Sequence, residues 1–150
     1  MADKQIIEQA GAVPCFLKNG DIFFILVTAR NSARNWIFPK GFIDPGHDLR
    51  STARLECYEE AGLLGELLNQ KIGSFKYTKY NKIYRVTFLP MLVTSILDKW
   101  PEDHERERTI VKLKDALTLL ENDDKLTKVL KKTASAVKPK QDKLKNGQRN

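Results

Sequence analysis

Cysteine is scarce in this sequence, and the two thiols present are too few for a disulfide framework. Cys15 and Cys57 are the only cysteines among 150 residues, and each lies within an apolar pattern. We therefore expect two reduced, buried thiols, which is typical of a protein from a reducing, cytoplasmic compartment.

Long apolar runs are also missing. No stretch approaches the roughly 18 apolar residues that a membrane-spanning helix needs. The N-terminal segment MADKQIIEQAG has no basic region followed by an apolar one, so we expect no signal peptide. These absences predict a cytoplasmic protein with no membrane partner.

Positive charge is concentrated near the C-terminus. Residues 1–124 contain 17 basic and 18 acidic residues, whereas residues 125–150 contain nine basic residues and one Asp. Apolar residues are scarce from Pro139 onward, which predicts one domain over residues 1–137 and a basic, disordered tail over residues 138–150. Such a tail contacts nucleic acid only weakly, and a solvated end that aids solubility is the alternative.

Apolar strand patterns lie before and after a central helix. This helix is predicted to begin after Asp48 and to end at Gly62, and two more helices are predicted near the C-terminus. Pro14 and Pro90 fall within predicted strands and indicate an edge position, a bulge or a break. This order of elements predicts an α/β fold with a mixed β-sheet.

The central helix carries three carboxylates, Glu56, Glu59 and Glu60, at positions i, i+3 and i+4. They emerge on one face, where three like charges destabilise a helix unless a cation neutralises them. Oxygen ligands suit hard divalent cations, so Glu56 and Glu60 are candidate ligands for Mg²⁺, with Mn²⁺ as the alternative. A solvated acidic face is the competing interpretation.

Residues before this helix are candidates for binding phosphate groups. Lys40 and Gly41 end the stretch WIFPKG, where the lysine can meet a phosphate charge and the glycine lets the backbone approach a metal ion or a phosphate closely. Arg30 and Arg34 occupy a polar loop and can each donate two hydrogen bonds to a phosphate. Solvated surface side chains are the alternative for these basic residues.

The stretch from Gly41 to Leu63 resembles the signature of the Nudix hydrolases, G-x5-E-x7-R-E-U-x-E-E-x-G-U, in which U is apolar. The matching residues are Gly41, Glu56, Cys57, Glu59, Glu60, Gly62 and Leu63. Three further stretches, WIFPKG, YEEAGL and WPE-x-x-E-R-x-R, resemble bacterial relatives of the diphosphoinositol polyphosphate phosphohydrolases.

The resemblance implies an α/β/α sandwich with a mixed sheet and an Mg²⁺-dependent hydrolase that cleaves a diphosphate linkage. It also implies that Glu59 acts as a metal ligand or general base beside Glu56 and Glu60. The family often takes a further acidic ligand from a distant loop, and Glu105 is our candidate, with Glu107 in reserve.

Two positions depart from the signature. His47 stands where the family has its first glutamate, and Leu55 stands where it has an arginine. In the family these two residues are understood to pair with each other and to steady the loop against the helix. Because both partners are replaced, no charge is left unpaired, and we expect altered support around intact metal ligands.

The expected substrate is a small molecule with many phosphate groups. Five basic residues and no acidic one lie between Lys71 and Arg85, a positive field that favours diphosphoinositol polyphosphates or dinucleoside polyphosphates. One alternative is a pyrophosphohydrolase acting on RNA 5′ ends or nucleoside triphosphates. Another is a non-catalytic nucleotide sensor, which the replacements His47 and Leu55 suggest. The sequence leaves the oligomeric state open.

Overall fold

The structure is a computed structural model that describes the backbone of residues 5–147 and the side chains of residues 5–137. Within these residues the chain forms eight strands and three helices. In chain order they are β1 (Ile6–Lys18), β2 (Asp21–Thr28), β3 (Trp36–Ile37), β4 (Lys40–Phe42), α1 (Leu49–Ala61), β5 (Leu63–Leu67), β6 (Gly73–Lys79), β7 (Lys82–Ile96), β8 (Arg108–Lys112), α2 (Leu113–Leu119) and α3 (Asp124–Gly147).

One mixed sheet contains all eight strands. Its centre is the long parallel pair β1 and β7, in register from Ile6 opposite Ile83 to Cys15 opposite Leu92. The remaining pairs are antiparallel: β2 and β4 pair with β1, β3 and β8 pair with β2, and β5 and β6 pair with β7. The predicted mixed sheet is confirmed.

Helices cover both faces of this sheet because successive side chains of a strand point to opposite sides. Val13 and Phe24 belong to a buried cluster that includes side chains of α2 and α3. Their neighbours Ala12 and Ile25 belong to a second cluster, which includes side chains of α1. The α/β/α sandwich implied by the resemblance is therefore confirmed.

Both cysteines are free and buried, as the apolar patterns around them predict. Cys15 lies in the cluster with α2 and α3, and Cys57 lies in the cluster with α1. Burial raises the pKa of Cys15 to about 12 and also raises the pKa of Cys57. The thiols lie on opposite faces of the sheet and act as small apolar side chains in the core.

Pro14 and Pro90 lie inside the two central strands, so the prediction of an edge, a bulge or a break at these positions is wrong. Around Pro14, β1 passes from its pairing with β4 to its pairing with β2. Around Pro90, β7 passes from β6 to β5. Each missing N–H therefore falls at a change of antiparallel partner, where a proline is tolerated within a continuous strand.

The long helix α3 extends beyond the predicted domain boundary. Its backbone is helical through Gly147, whereas the sequence predicts a disordered tail from residue 138. Lys and Gln, which make up half of residues 138–147, are good helix formers, and the helix continues past Pro139 although a proline lacks the N–H that bonds to the preceding turn. Residues 148–150 lie outside the described residues. No described helix has the length and apolar character to span a bilayer.

The central helix α1 has the two ends that the sequence predicts. At its start, the Asp48 carboxylate accepts a hydrogen bond from the Ser51 backbone, and the Ser51 hydroxyl accepts one from the Asp48 backbone. At its end, Gly62 adopts the left-handed conformation with φ of 65°. A Cβ at Gly62 would lie 2.8 Å from the Cβ of Trp100, so this position needs glycine for two reasons.

Gly62→Ala should destabilise the protein more than Gly20→Ala does. Both glycines have positive φ, but a Cβ at Gly20 would meet no atom within 4 Å. We expect about 1 kcal/mol from the left-handed backbone alone at Gly20. At Gly62, where Trp100 must also move, we expect about 3 kcal/mol. Urea denaturation of both variants measures the difference, and equal losses would show that the contact with Trp100 has no energetic weight.

Candidate active site

Helix α1 directs its three carboxylates into one cleft. Glu56, Glu59 and Glu60 all line this cleft, together with Lys40 and Gly41. Glu60 is only 3% exposed, whereas Glu56 and Glu59 are partly buried. A solvated acidic face does not describe this arrangement, since one of the three carboxylates is removed from water.

Burial changes the acidity of two of these carboxylates. The pKa of Glu60 is raised to about 9, mainly by burial and secondly by a hydrogen bond with the Glu56 carboxylate, while Arg106 acts in the opposite direction. The pKa of Glu59 is also raised, by burial and by repulsion from Glu56 and Glu102. Carboxylates crowded in this way favour either a proton or a cation between them.

Gly41 contacts the Glu56 side chain directly. A Cβ at this position would clash with the Glu56 carboxylate, so no larger residue fits unless that carboxylate moves. The glycine occupies β4, which pairs with β1 beside the carboxyl half of α1. The backbone at Gly41 therefore closely approaches a carboxylate, and its predicted approach to a metal ion or a phosphate stays a prediction.

A buried arginine, Arg106, lies in the loop between β7 and β8 and binds two carboxylates. Its Nη2 lies 3.3 Å from Oε1 of Glu60, and its Nε donates to Oε1 of Glu102 at 3.0 Å. Its Nη1 donates to the carbonyl of Thr28 at 2.9 Å. Sequence reasoning missed both Arg106 and Glu102. The i, i+4 spacing of opposite charges in WPE-x-x-E-R was the available signal.

The cleft has a volume of about 900 Å³ and brings together most of the predicted site residues. Arg30 and Glu105 line it from two loops, and Arg30 Nη1 lies 3.5 Å from Oε2 of Glu105. Lys40 lies there as well, and burial is the main cause that lowers its pKa. Opposite charges therefore share one cavity, as a site for a metal ion and phosphates requires.

Arg34 and Glu107 do not line this cleft. The guanidinium of Arg34 donates to the Thr28 hydroxyl at 3.3 Å, and Arg34 lines a separate cavity of about 250 Å³ beside α2. Glu107 donates its backbone N–H to the same hydroxyl. The predicted phosphate contact of Arg34 is therefore not supported, because its loop turns the side chain toward Thr28.

Aromatic side chains form a further part of the lining that sequence reasoning did not assign. These residues are Phe42, Tyr77, Tyr80 and Tyr84. Tyr77 and Tyr84 stack with ring centroids 5.1 Å apart, and Nζ of Lys40 lies 5.7 Å from the Tyr77 ring centroid. Tyr80 is 84% exposed at the tip of the β6–β7 hairpin. The alternation of Lys and Tyr in KYTKYNKIYR was the signal for this wall.

The two positions that depart from the signature, His47 and Leu55, can form no ion pair with each other because a leucine carries no charge. Nδ1 of His47 lies 3.1 Å from the Ser51 hydroxyl, and Leu55 is 39% exposed. Neither residue lines the cleft. The loop is instead tied to α1 through the Asp48–Ser51 capping box, which His47 joins. Altered support for the loop, expected from the sequence, agrees with these contacts.

The donor set of the cleft suits a hard divalent cation. Glu56, Glu59 and Glu60 offer only oxygen atoms, and the contact between Glu56 and Glu60 is one that a cation would relieve. Among the side chains described, no three acidic, His or Cys residues already form a closed metal site. A cation bound by these carboxylates would therefore draw their side chains together.

A family comparison decides what kind of domain this is. The sequence model of the NUDIX domain matches residues 8–132. The chain belongs to the Nudix family. Nudix hydrolase 21, chloroplastic, of Arabidopsis thaliana is 30% identical over 117 residues, which cover 75% of this chain and 59% of the relative. Diphosphoinositol polyphosphate phosphohydrolase 2 of Rattus norvegicus is 28% identical over 121 residues, 79% of this chain and 66% of the relative.

Solved structures share the same fold. A C. elegans Ap4A hydrolase in a binary complex superposes on this Nudix chain with a TM-score of 0.75 at 24% identity, covering 87% of this chain and 97% of the other. The NUDIX domain of Shewanella oneidensis NrtR, complexed with ADP ribose, gives a TM-score of 0.70 at 13% identity, covering 90% of each chain. The chain spans about half to three fifths of the length of the four Arabidopsis relatives.

Replacing Arg106 should destabilise this Nudix domain far more than replacing Arg30. Both arginines contact Glu102, but the Arg106 side chain is 7% exposed and the Arg30 side chain 54% exposed. We expect Arg106→Met to cost about 3 kcal/mol, because it leaves buried acceptors without a partner. The matched variant Arg30→Met should cost less than about 1 kcal/mol. Similar denaturant midpoints for the two variants would contradict the role given to Arg106.

Proposed function

We propose that this chain is an Mg²⁺-dependent hydrolase that cleaves a diphosphate linkage in a small, highly phosphorylated molecule. The single observation that carries the proposal is the meeting of three helix carboxylates with basic side chains in one cleft of about 900 Å³. Family membership supports the same chemistry. Neither a structural brace nor a solvated surface needs this combination of buried acid and nearby base.

Glu56, Glu59 and Glu60 would hold the metal ion, beside the backbone of Gly41 and with Glu105 as the ligand from the distant loop. Mg²⁺ bound there supplies the positive charge that neutralises phosphate oxygens and makes a water molecule more acidic. Glu59 is better placed than Glu60 to accept the proton of the attacking water, since Glu59 is the more accessible of the two.

Basic side chains of the same cleft would bind the phosphates. Lys40 lies beside Gly41, and Lys79 enters the lining from the β6–β7 hairpin. Arg30 is held near Glu102 and Glu105 by ion pairs of 3.6 and 3.5 Å, and its exposed guanidinium is free to donate to a phosphate as well. These residues belong to elements other than α1, so a substitution in one group can change phosphate binding without replacing a proposed α1 metal ligand.

Two substrate classes, diphosphoinositol polyphosphates and dinucleoside polyphosphates, fit this site. The lysines suit both, since both carry many phosphates. The exposed rings of Tyr80 and Phe42 offer a surface on which a nucleobase can stack, which favours a dinucleoside polyphosphate. A nucleoside triphosphate also carries a base that can stack on these rings, and it is therefore the second substrate candidate.

Glu59→Gln and Glu60→Gln should each lower the rate of phosphate release by about a hundredfold or more, because each removes a charge from the metal site. The control is Glu66→Gln, which changes an exposed glutamate of β5 outside the cleft. Turnover is measured with Mg²⁺, and circular dichroism checks the fold. Full activity in either cleft variant would remove the metal-site assignment.

Tyr80→Ala should raise the KM for a dinucleoside polyphosphate about fivefold, since base–aromatic stacking is lost. The KM for a diphosphoinositol polyphosphate should stay unchanged, because that substrate has no base. Mass spectrometry of the products from both substrates identifies the bond that is cleaved. An equal effect on both substrates would place Tyr80 outside base recognition. Nucleotide binding without turnover of any polyphosphate would favour the sensor alternative instead.

A further inference from the structure

Four consecutive backbone carbonyls at the end of α1, those of residues 59–62, are all hydrogen-bonded by one segment of the chain. This segment, residues 97–108, joins β7 to β8 and includes the first residue of β8; we call it the clamp segment. The donors, in the order of the carbonyls, are the Glu102 N–H at 3.0 Å, the Trp100 Nε1–H at 3.0 Å, the Arg108 Nη1–H at 2.8 Å and the Leu97 N–H at 2.9 Å.

Helix ends leave carbonyls without partners inside the helix, and a basic side chain in the last turn often satisfies them. Helix α1 has no basic residue in its last turn. Its carbonyls are served from a segment that lies about 40 positions further along the chain. The last carbonyls of this helix are therefore satisfied by tertiary structure, in addition to the Gly62 cap that its own sequence provides.

Two side chains of the clamp segment, Trp100 and Arg108, form a stacked pair. The Arg108 Cζ lies 4.0 Å from the Trp100 ring centroid, and Arg108 also donates to the Leu97 carbonyl at 2.9 Å. Gly62 packs closely against Trp100, since a Cβ at Gly62 would lie within 2.9 Å of the Trp100 Cβ, Cγ and Cδ2 atoms. Neither donor can turn away from α1 without breaking contacts to the other.

The clamp segment also contacts the side-chain carboxylate of an α1 residue, Glu60. Arg106 pairs with Glu60, whose backbone carbonyl accepts from Trp100. Glu60 is thus fixed at both ends of the residue, and Glu59 is fixed at its carbonyl through Glu102. A shift of about 1 Å in catalytic groups is enough to lower a rate a hundredfold, so the position of this last turn matters for chemistry.

We propose that Trp100 and Arg108 are positioning residues, which fix the last turn of α1 so that Glu59 and Glu60 present their carboxylates to a divalent cation in one geometry. The inference rests on the proposed function. Neither Trp100 nor Arg108 lines the cleft, so both act through the glutamates.

A positioning role has a kinetic consequence that a merely structural role lacks. Lys40, which would bind a substrate phosphate, belongs to β4, outside the clamp segment. Arg30 pairs with Glu102 and Glu105 of the clamp segment, but these ion pairs line the cleft and include neither Trp100 nor Arg108. Loosening the stacked pair of Trp100 and Arg108 therefore lowers divalent-cation affinity and kcat, while the KM for substrate stays nearly constant.

The test uses Trp100→Phe, which keeps an aromatic ring beside Arg108, removes the N–H donated to the Glu60 carbonyl and also reduces the volume of the side chain. The matched control is Trp36→Phe, a half-buried tryptophan packed against the cluster on the opposite face of the sheet. Mn²⁺ binding is measured by calorimetry without substrate, and kcat, KM and the melting temperature are measured alongside.

In Trp100→Phe we expect the Mn²⁺ dissociation constant to rise about fivefold and kcat to fall by a similar factor, as the loss of one hydrogen bond implies. The KM should change by less than about twofold. Arg108→Lys, which keeps the charge and loses the stacked guanidinium, should shift the same two quantities. The melting temperatures of Trp100→Phe and Trp36→Phe should fall by similar amounts.

Mn²⁺ affinity and kcat equal to those of the Trp36→Phe control would overturn the positioning role. So would a wild-type chain that binds no Mn²⁺, because there would then be no cation site to position. A wild-type chain that binds Mn²⁺ but hydrolyses no polyphosphate overturns the proposed function alone. In that case the comparison of Mn²⁺ affinities still decides the role of Trp100.

Discussion

The burial of Glu60 is the constraint on which the rest of the site depends. A carboxyl group that is 3% exposed needs a partner, and Arg106, in the loop between β7 and β8, provides one at 3.3 Å. That arginine reaches Glu60 only because the loop between β7 and β8 lies over the end of α1. The loop in turn is fixed by hydrogen bonds to α1 and by the Thr28 carbonyl at the end of β2.

This arrangement couples stability to the candidate chemistry. The buried contact between Arg106 and Glu60 is a weak source of net stability, but removing one partner is costly because the other polar group stays buried without it. The fold thus retains Glu60 with a pKa raised to about 9, hydrogen-bonded to Glu56, whose carboxylate lies against the backbone of Gly41. A cation that replaced the shared proton would relieve the strain among these carboxylates. The packing of the sheet and helix therefore brings together carboxylates that favour a proton or a cation between them, which is the basis of the proposed metal site.

Sequence reasoning located α1, its two caps and its three carboxylates because each depends on residues close together in the chain. Asp48, Gly62 and the i, i+3, i+4 spacing act over one or two helical turns. The same reasoning failed at Pro14 and Pro90, since a proline's cost depends on which strand lies beside it. It also chose Arg34 as a phosphate-binding candidate and did not single out Arg106. The neighbouring residues in the sequence do not show which arginine of a loop points into the protein.

The sequence by itself determined the strand and helix pattern, the buried thiols and the acidic face of α1, all of which follow from periodicity and capping over short distances. Only the tertiary structure decided which basic and aromatic side chains join those carboxylates. Arg106 and Glu102 lie in the loop between β7 and β8, and Tyr80 lies in the β6–β7 hairpin. These segments line the same cleft as the α1 carboxylates, and their positions follow from strand order. Strand order is set by the packing of the whole domain, and no single stretch of residues encodes it.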